Sequence, residues 1–333
     1  MGWIAGLDIG GTKLAVTVAR FEDGTLTVTG KRKLPTPSGG WQPTLDLLES
    51  ALGELLEGRR PEAIGISCGG PLDSAQGLIL SPPNLPGWDR VPVCSHFTRA
   101  FGSPCFLQND ADACALAEWR FGAGQGCRHM VFLTFGTGLG AGLILNGQLY
   151  SGAANLAGEL GHCRSPQDGS PYAPVGYGKA GSFEGFCSGG GIAELGRSLA
   201  LERLQRGEAP AFCPTRGDLE GVTALSIAQA AQAGDPTALE VYRCSGRHLG
   251  MALALLCDLL NPQRIVIGSI YARSQELLRD AALEVLSREA LPGSRAACQV
   301  VPAVLGEQLG DTAALSVALN GLGLEASQIA FAL

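Results

Sequence analysis

The chain has 333 residues, 46% of them hydrophobic and 17% charged, with a formal net charge of −7. Its length suits two packed domains, its low charge content excludes a disordered or coiled-coil chain, and an acidic balance with no basic stripe argues against a nucleic-acid partner. Glycine is the outlier: 48 residues, about twice the usual share, with no G-X-Y period, so many positions need positive φ or a bare close approach.

Residues 3–9 (WIAGLDI) predict a buried strand, GGTK a turn, and LAVTVARF a second strand. Asp23-Gly24 is a hairpin signal, and TLTVTGKRKL follows as a third strand. Apolar spacing predicts a helix over 43–57, with Gly58 just beyond it. AIGISCGG and CFLQND read as short buried strands, and a helix is expected from Ala111 to Phe121. The pattern then restarts. HMVFLTFGTG is a strand ending in glycines, and AGLILNGQLY is a strand with an Asn146-Gly147 turn. Each half thus opens on a hairpin whose turn is rich in Gly and Thr. Residues 163–182 read as a loop and 202–222 as an irregular connection. Asp235 and Pro236 begin a long helix reaching about Leu260, as N-cap and first helical residue. RIVIGS is a strand, SQELLRDAALEVLSREA a helix, QVVPAVL a strand, and Asp311 is expected to cap a last helix. Strands alternating with helices give an α/β class.

Eleven cysteines, an odd count with no C-x-x-C, do not form a disulfide framework and read mostly as small buried hydrophobes. The opening MGWIAGLDIGG lacks a basic n-region, and Gly6 stands where a myristoylation motif needs Ser or Thr. The apolar run LGMALALLCDLL is too short to span a membrane and contains Asp258. The expectation is a cytoplasmic protein with no membrane partner.

Four motifs carry chemistry. In Asp8-Ile-Gly-Gly-Thr-Lys13, glycines let backbone N–H groups approach an anion, and Asp8 suits a Mg²⁺ that accompanies phosphate. The bland alternative is a type I′ hairpin. Thr134-Phe-Gly-Thr-Gly-Leu-Gly-Ala-Gly142 matches a dinucleotide fingerprint at Gly136, Gly138 and Ala141, with Glu159 downstream. That fingerprint needs a helix after the turn, and GLILNGQLY is β-like, so a phosphate-holding hairpin is the better reading. Gln108-Asn-Asp-Ala111 places a carboxylate at a strand end, where Asp110 is suited to accept a hydroxyl proton; the alternative is that Asn109 or Asp110 merely caps the next helix. Gly158-Glu-Leu-Gly-His162, followed by Glu184, offers a Glu/His pair for a metal or a polyol.

Taken in order over nearly the whole chain, D-x-G-G-T-K, N-D-A, T-x-G-T-G-x-G and G-E-x-G-H resemble the ROK family of repressors, open reading frames and sugar kinases. The resemblance implies the actin-like, hexokinase-like ATPase fold, two α/β domains with a cleft between them. It implies a small domain over 1–115, a large one over 116–309, and a C-terminal helix over 310–333 packing back on the small domain. By position, Asp8, Gly10, Gly11, Thr12 and Lys13 would form the first phosphate loop, with Asp8 near Mg²⁺. Gly136, Thr137 and Gly138 would form the second, and Gly268 would lie on the adenosine side. Asn109 and Asp110 would meet the sugar, Asp110 as general base; Glu159, His162 and Glu184 would bind its hydroxyls, and Gly70 and Asn84 lie in loops of the sugar side. The implied activity is an ATP-dependent kinase acting on a hexose or N-acetylhexosamine, in a homodimer. ATP and Mg²⁺ are the implied cofactors, and polyphosphate is an open alternative as donor.

Two departures stand out. The family's zinc knuckle, C-G-C-G-x-x-G-C-x-E, is here Val175-Gly-Tyr-Gly-Lys-Ala-Gly-Ser-Phe-Glu184, with Val175, Tyr177 and Ser182 at the three cysteine positions. A tetrahedral zinc needs four N or S ligands, so no structural zinc is expected; Cys163 and Cys187 have the wrong spacing to substitute. Ser269 also replaces the usual second Gly of the adenosine-side strand end. Rival readings are a sugar-sensing regulator, which would need a DNA-binding segment ahead of Asp8, a catalytically inactive sugar-binding sensor, and a dinucleotide-dependent oxidoreductase.

Overall fold

A computed structural model describes residues 2–166, 171–324 and 330–332. The chain opens with β1 (Trp3–Ile9), β2 (Lys13–Glu22) and β3 (Thr25–Pro35), an antiparallel meander turned at Asp23-Gly24, both with positive φ. Then come α1 (Trp41–Leu56), β4 (Pro61–Cys68), the small hairpin β5 (Leu72–Asp73) and β6 (Leu78–Ile79), α2 (Val93–Phe101), β7 (Cys105–Asn109) and α3 (Asp110–Phe121). A second sheet begins with β8 (Met130–Phe135), β9 (Leu139–Leu145) and β10 (Gln148–Leu149). It is followed by the small hairpin β11 (Val175–Gly176) and β12 (Lys179–Ala180), then α4 (Phe183–Phe186), α5 (Gly189–Gln205), α6 (Ala224–Gln232) and α7 (Pro236–Leu260). The chain continues through β13 (Arg264–Ile267), α8 (Ile270–Arg273), α9 (Gln275–Glu289), α10 (Pro292–Ala297), β14 (Gln299–Pro302), α11 (Leu309–Gly321) and β15 (Ala330–Ala332).

The chain divides into two compact units. Unit 1 is 1–128, 142–157 and 304–333; unit 2 is 129–141 and 158–303. The expected boundary after residue 115 would cut α3 in mid-helix; the division falls at 128 instead, beyond the end of that helix.

Unit 1 is built on a six-stranded sheet of order β15-β3-β2-β1-β4-β7, parallel across β1, β4 and β7. Alternation decides what each face of β1 does. Ala5, Leu7 and Ile9 join Leu45, Leu48 and Leu52 of α1 and Phe97 of α2 in one core cluster. Ile4 belongs to a second cluster with Leu315, Ala318 and Leu319 of α11. Gly6 and Gly65 let α11 lie against the sheet: a Cβ on Gly65 would stand 2.1 Å from the Ala314 carbonyl oxygen. By the same alternation Asp8 shares the α11 face with Ile4 and Gly6.

In unit 2, β13 lies parallel between β8 and β14. Asp235 caps α7 through Oδ1, accepting from Ala238 N at 2.8 Å with Pro236 in the first turn, as the sequence predicts. Gly246 and Gly250 of α7 admit α9 closely; added Cβ atoms would lie 2.8 Å from the Leu278 oxygen and 2.5 Å from that of Ala282. Of the loop expected over 163–182, residues 167–170 lie outside the described residues. The connection expected over 202–222 is corrected at its start, since α5 continues to Gln205 before the irregular stretch. The eleven thiols are free, six of them buried. Among the described residues no helix is long and apolar enough to cross a membrane.

Candidate active site

In unit 1 the register sets Asp8 beside Ser67 and Ser67 beside Gln108, one residue short of the β7–α3 junction. The carboxyl ends of three parallel strands therefore present their polar residues together, the usual place for chemistry in an α/β sheet. Asn109 ends β7 in extended conformation, and its Oδ1 accepts from Asp112 N at 2.7 Å, capping α3. The capping reading is thus correct for Asn109, which keeps its side-chain NH₂ for other partners. Asp110 opens the helix, and its Oδ1 accepts from Ala111 N at 2.8 Å.

The electrostatics of this end are unbalanced. Burial first, then the Asp110 and Asp311 carboxylates, raise the Asp8 carboxyl to about 6, against a hydrogen bond from Ser67 that lowers it. Asp110 is open to solvent over part of its surface yet ringed by protein, and desolvation raises its carboxyl while the Ala111 amide and its own amide oppose the rise. The thiols of Cys68 and Cys114 are raised by burial first and then by Asp110 and Asp8, so they stay neutral beside these carboxylates. Asp311 pairs with Lys31 and accepts from Thr17 Oγ1 at 3.5 Å. The sequence reading made Asp311 a helix cap; the cap position falls on Gln308, and Asp311 lies in the first turn of α11 facing the Asp8 end of the sheet. Nothing in local sequence marks this. It follows from α11 packing on Gly6 and Gly65.

The Gly10–Thr12 turn is not a type I′ hairpin, because neither Gly10 nor Gly11 has positive φ. Gly10 N donates to Lys13 O at 3.1 Å, and Thr36 Oγ1 donates to Gly10 O at 2.7 Å. Gly11 is required by contact: an added Cβ would lie 2.3 Å from the Asn84 carbonyl oxygen. The first turn and the Asn84 loop thus touch, while Thr12 and Lys13 are exposed. Gly69 also faces the Asn84 side chain, and Gly70 joins Pro71 through a cis peptide bond.

Unit 2 gathers a second group. The turn Gly136–Gly138 is closed by Gly136 N donating to Gly138 O at 3.1 Å, and Thr137 is exposed at its tip. Glu184 Oε2 accepts from Leu139 N at 3.0 Å, so this carboxylate buttresses the turn. Gly158 and Gly161 press on β9, where added Cβ atoms would meet the Ala141 oxygen at 1.9 Å and the Leu139 oxygen at 2.0 Å; Gly161 also backs onto Glu184. This brings exposed Glu159 and His162 beside Glu184 and the turn. Gly268 N donates to Leu133 O at 2.9 Å, and Ser269 has φ 55°, with its Oγ 3.4 Å from where a Cβ on Gly136 would stand.

The sequence reading missed one contributor here. Gly189 N, at the start of α5, donates to Gly136 O at 2.7 Å, and Ser188 Oγ caps that helix by accepting from Gly191 N at 3.0 Å. A 17-residue helix therefore points its positive end at the turn. The run Ser188-Gly-Gly-Gly191 was the available signal.

Where the resemblance would place zinc ligands, other contacts hold the β11–β12 hairpin. Val175 N donates to Glu194 Oε2 at 3.0 Å, Ser182 Oγ caps α4, and Tyr177 meets the His162 ring edge-on at 5.9 Å. Lys179 Nζ donates to His162 O at 2.7 Å.

The chain is similar to known proteins along nearly its whole length. The ROK family model matches residues 4–320. A glucokinase from Streptomyces coelicolor is 31% identical over 96% of this chain and 98% of its own length. A ROK hexokinase from Thermus thermophilus superposes with a TM-score of 0.79 at 32% identity, covering 96% of this chain and 99% of that one. A ROK glucokinase from Streptomyces griseus, solved with glucose and AMPPNP, gives 0.73 at 30% identity over 96% and 100% of the two chains. With the actin-like α/β fold and the motif series in place, the chain belongs to the ROK family.

Proposed function

We propose that this chain is an ATP-dependent sugar kinase that phosphorylates a hydroxyl of a hexose or an N-acetylhexosamine, with Asp110 as general base. The observation that carries the reading is the position of Asp110. It is an open carboxylate at the end of a parallel strand, within the electrostatic reach of Asp8. The attacking hydroxyl loses its proton to Asp110 as its oxygen bonds to the γ-phosphorus, and ADP departs with the electron pair of the broken bond. Asn109, Glu159, His162 and Glu184, with the loops of Gly70 and Asn84, position the sugar.

The residues fit a Mg²⁺–nucleotide. Burial, and then the like charges beside it, raise the Asp8 carboxyl, a penalty that a divalent cation carried by phosphates would relieve, and such a site needs only one or two protein carboxylates. Bound there, Mg²⁺ would neutralise charge developing on the phosphates. The exposed hydroxyls of Thr12 and Thr137, Lys13 and the N-terminus of α5 supply donors for the phosphates, with Gly268 near the nucleoside. The same reading includes a homodimer without structural zinc, its β11–β12 hairpin held by the Tyr177, Ser182 and Glu194 contacts.

The test is sugar-dependent ADP release across a panel of hexoses and N-acetylhexosamines, with ATP and polyphosphate as separate donor arms. Turnover with at least one sugar is expected. Sugar binding by calorimetry without turnover from either donor would replace this reading with that of an inactive sensor.

A further inference from the structure

Apart from the carboxylate end of its sheet, unit 1 contains a cavity of about 910 Å³ whose lining includes Trp119, Arg120 and Gln125 around the C-terminal end of α3. Asn146, Gln148 and Asn320 also contribute side chains to it. None of the described lining residues is acidic, and Arg128, exposed, also lines the cavity. Arg120 is only 2% exposed. Its Nε and Nη1 meet no hydrogen-bond acceptor among the described residues. Its guanidinium carbon lies 5.5 Å from the Trp119 ring centroid, a contact that does not neutralise charge. Burial lowers its pKa to about 10, which leaves it protonated at neutral pH.

A buried charge without a counter-charge is costly, and so is a buried donor without an acceptor. An oxyanion that enters the cavity and accepts from the guanidinium lowers both costs. The planar fork of Arg matches phosphate oxygens in pairs. The amides of Gln125, Gln148 and Asn320 donate and accept hydrogen bonds, as a hydroxyl-rich body requires. The cavity volume suits a whole small molecule rather than a bare ion. We infer that this cavity of unit 1 is a second ligand site, one that takes the phosphate group of a small phosphorylated compound on Arg120.

The site is tested by isothermal titration of the full-length protein with two probes, inorganic phosphate and a hexose 6-phosphate. Two variants accompany it: Arg120→Met, which keeps the apolar stem, and Gln148→Glu, an exposed change that puts a carboxylate at the cavity. Gln148→Glu lies on a short edge strand and is expected to keep the wild-type unfolding temperature. Losing or repelling a charge-assisted hydrogen bond should weaken phosphate binding about 10- to 100-fold in either variant. Turnover with sugar and ATP should stay at the wild-type level in Gln148→Glu. Tighter binding of the hexose phosphate than of phosphate assigns the site to the ester; equal binding assigns it to the free anion. Either result supports the site. If the wild type binds neither probe, or if Gln148→Glu binds both as the wild type does, the inference is overturned; that second result would place the bound phosphate on the glycine turns instead.

Discussion

The two glycine turns share a sequence grammar and differ in what surrounds them. Each follows a buried strand and carries an exposed threonine, and each is closed by a backbone hydrogen bond of 3.1 Å. Around Gly10–Thr12, unit 1 assembles the carboxylates of Asp8, Asp110 and Asp311; burial first, then Asp110 and Asp311, raise the Asp8 carboxyl. Around Gly136–Gly138, unit 2 assembles donors, the Ser269 hydroxyl and the start of α5, and the Glu184 carboxylate there is already occupied in accepting from Leu139 N. The first setting suits proton and cation chemistry; the second suits holding an anion. The turn motif alone does not decide which. The elements packed behind it do: α11 brings Asp311 in unit 1, and α5 brings its N-terminus in unit 2.

The sharpest way to break this contrast is at Asp110. Asp110→Asn keeps shape and removes the proposed base, so kcat should fall about 100-fold or more while the KM for sugar changes little. Steady-state kinetics with circular dichroism as the fold control checks this, and near-normal kcat would move the base elsewhere. Next come the turns themselves. Gly11→Ala drives a Cβ to 2.3 Å from the backbone oxygen of Asn84, whereas Gly138→Ala meets only the Glu184 carboxylate tip, at 2.7 Å. Backbone cannot yield as a side chain can, so Gly11→Ala should lower kcat/KM for ATP roughly tenfold or more and Gly138→Ala only a few-fold. A larger effect in Gly138→Ala would mean that Glu184 is fixed more firmly than the Asn84 loop.

A third consequence concerns the cation. The folded state holds the Asp8 proton up to about pH 6, above the ordinary value of 3.8 for an aspartate. The folded state therefore binds more protons than the unfolded chain between those values, and stability drains away as pH rises through that window. Above it the ionised carboxylate carries an unrelieved penalty, which a bound cation removes. The gain in Tm from Mg²⁺ with a non-hydrolysable ATP analogue should accordingly be larger at about pH 7.5 than at about pH 5. Equal gains would remove Asp8 from the cation site.

Much of the fold is legible in the sequence. The strand over 3–9 and the hairpin at Asp23-Gly24 matched because turn chemistry and apolar runs are local signals. The N-cap at Asp235 matched for the same reason. The positions of Asp8 and Asp110 at strand ends are legible because apolar runs and glycine or capping signals bracket both. What escaped depends on distant packing. The helix α5 begins Gly-Gly-Gly, which reads as a breaker; in the fold Gly191 is required because an added Cβ would lie 2.0 Å from the Gly185 oxygen. Asp311 lies 303 positions from Asp8 along the chain, and only the two glycines under α11 explain its approach. Arg120 reads as part of an ordinary helix end, because burial of guanidinium nitrogens with no acceptor among the described residues leaves no trace in sequence.

The finest test uses two neighbours of Asp8 that act in opposite directions. Asp311 raises its carboxyl and Ser67 lowers it. If ionised Asp8 sets the acid limb of kcat/KM for ATP, that limb should lie near pH 6 in the wild type, with activity lost as pH falls. Asp311→Asn removes a repelling charge, so the limb should move to lower pH, by about half a unit. Ser67→Ala removes a hydrogen bond to the charged form, so the limb should move to higher pH, by a few tenths of a unit. A general loosening of the site would shift both variants the same way or leave the limb in place and lower the plateau. Opposite displacements at an unchanged plateau belong to a titrating Asp8 poised between a like charge and a hydroxyl donor.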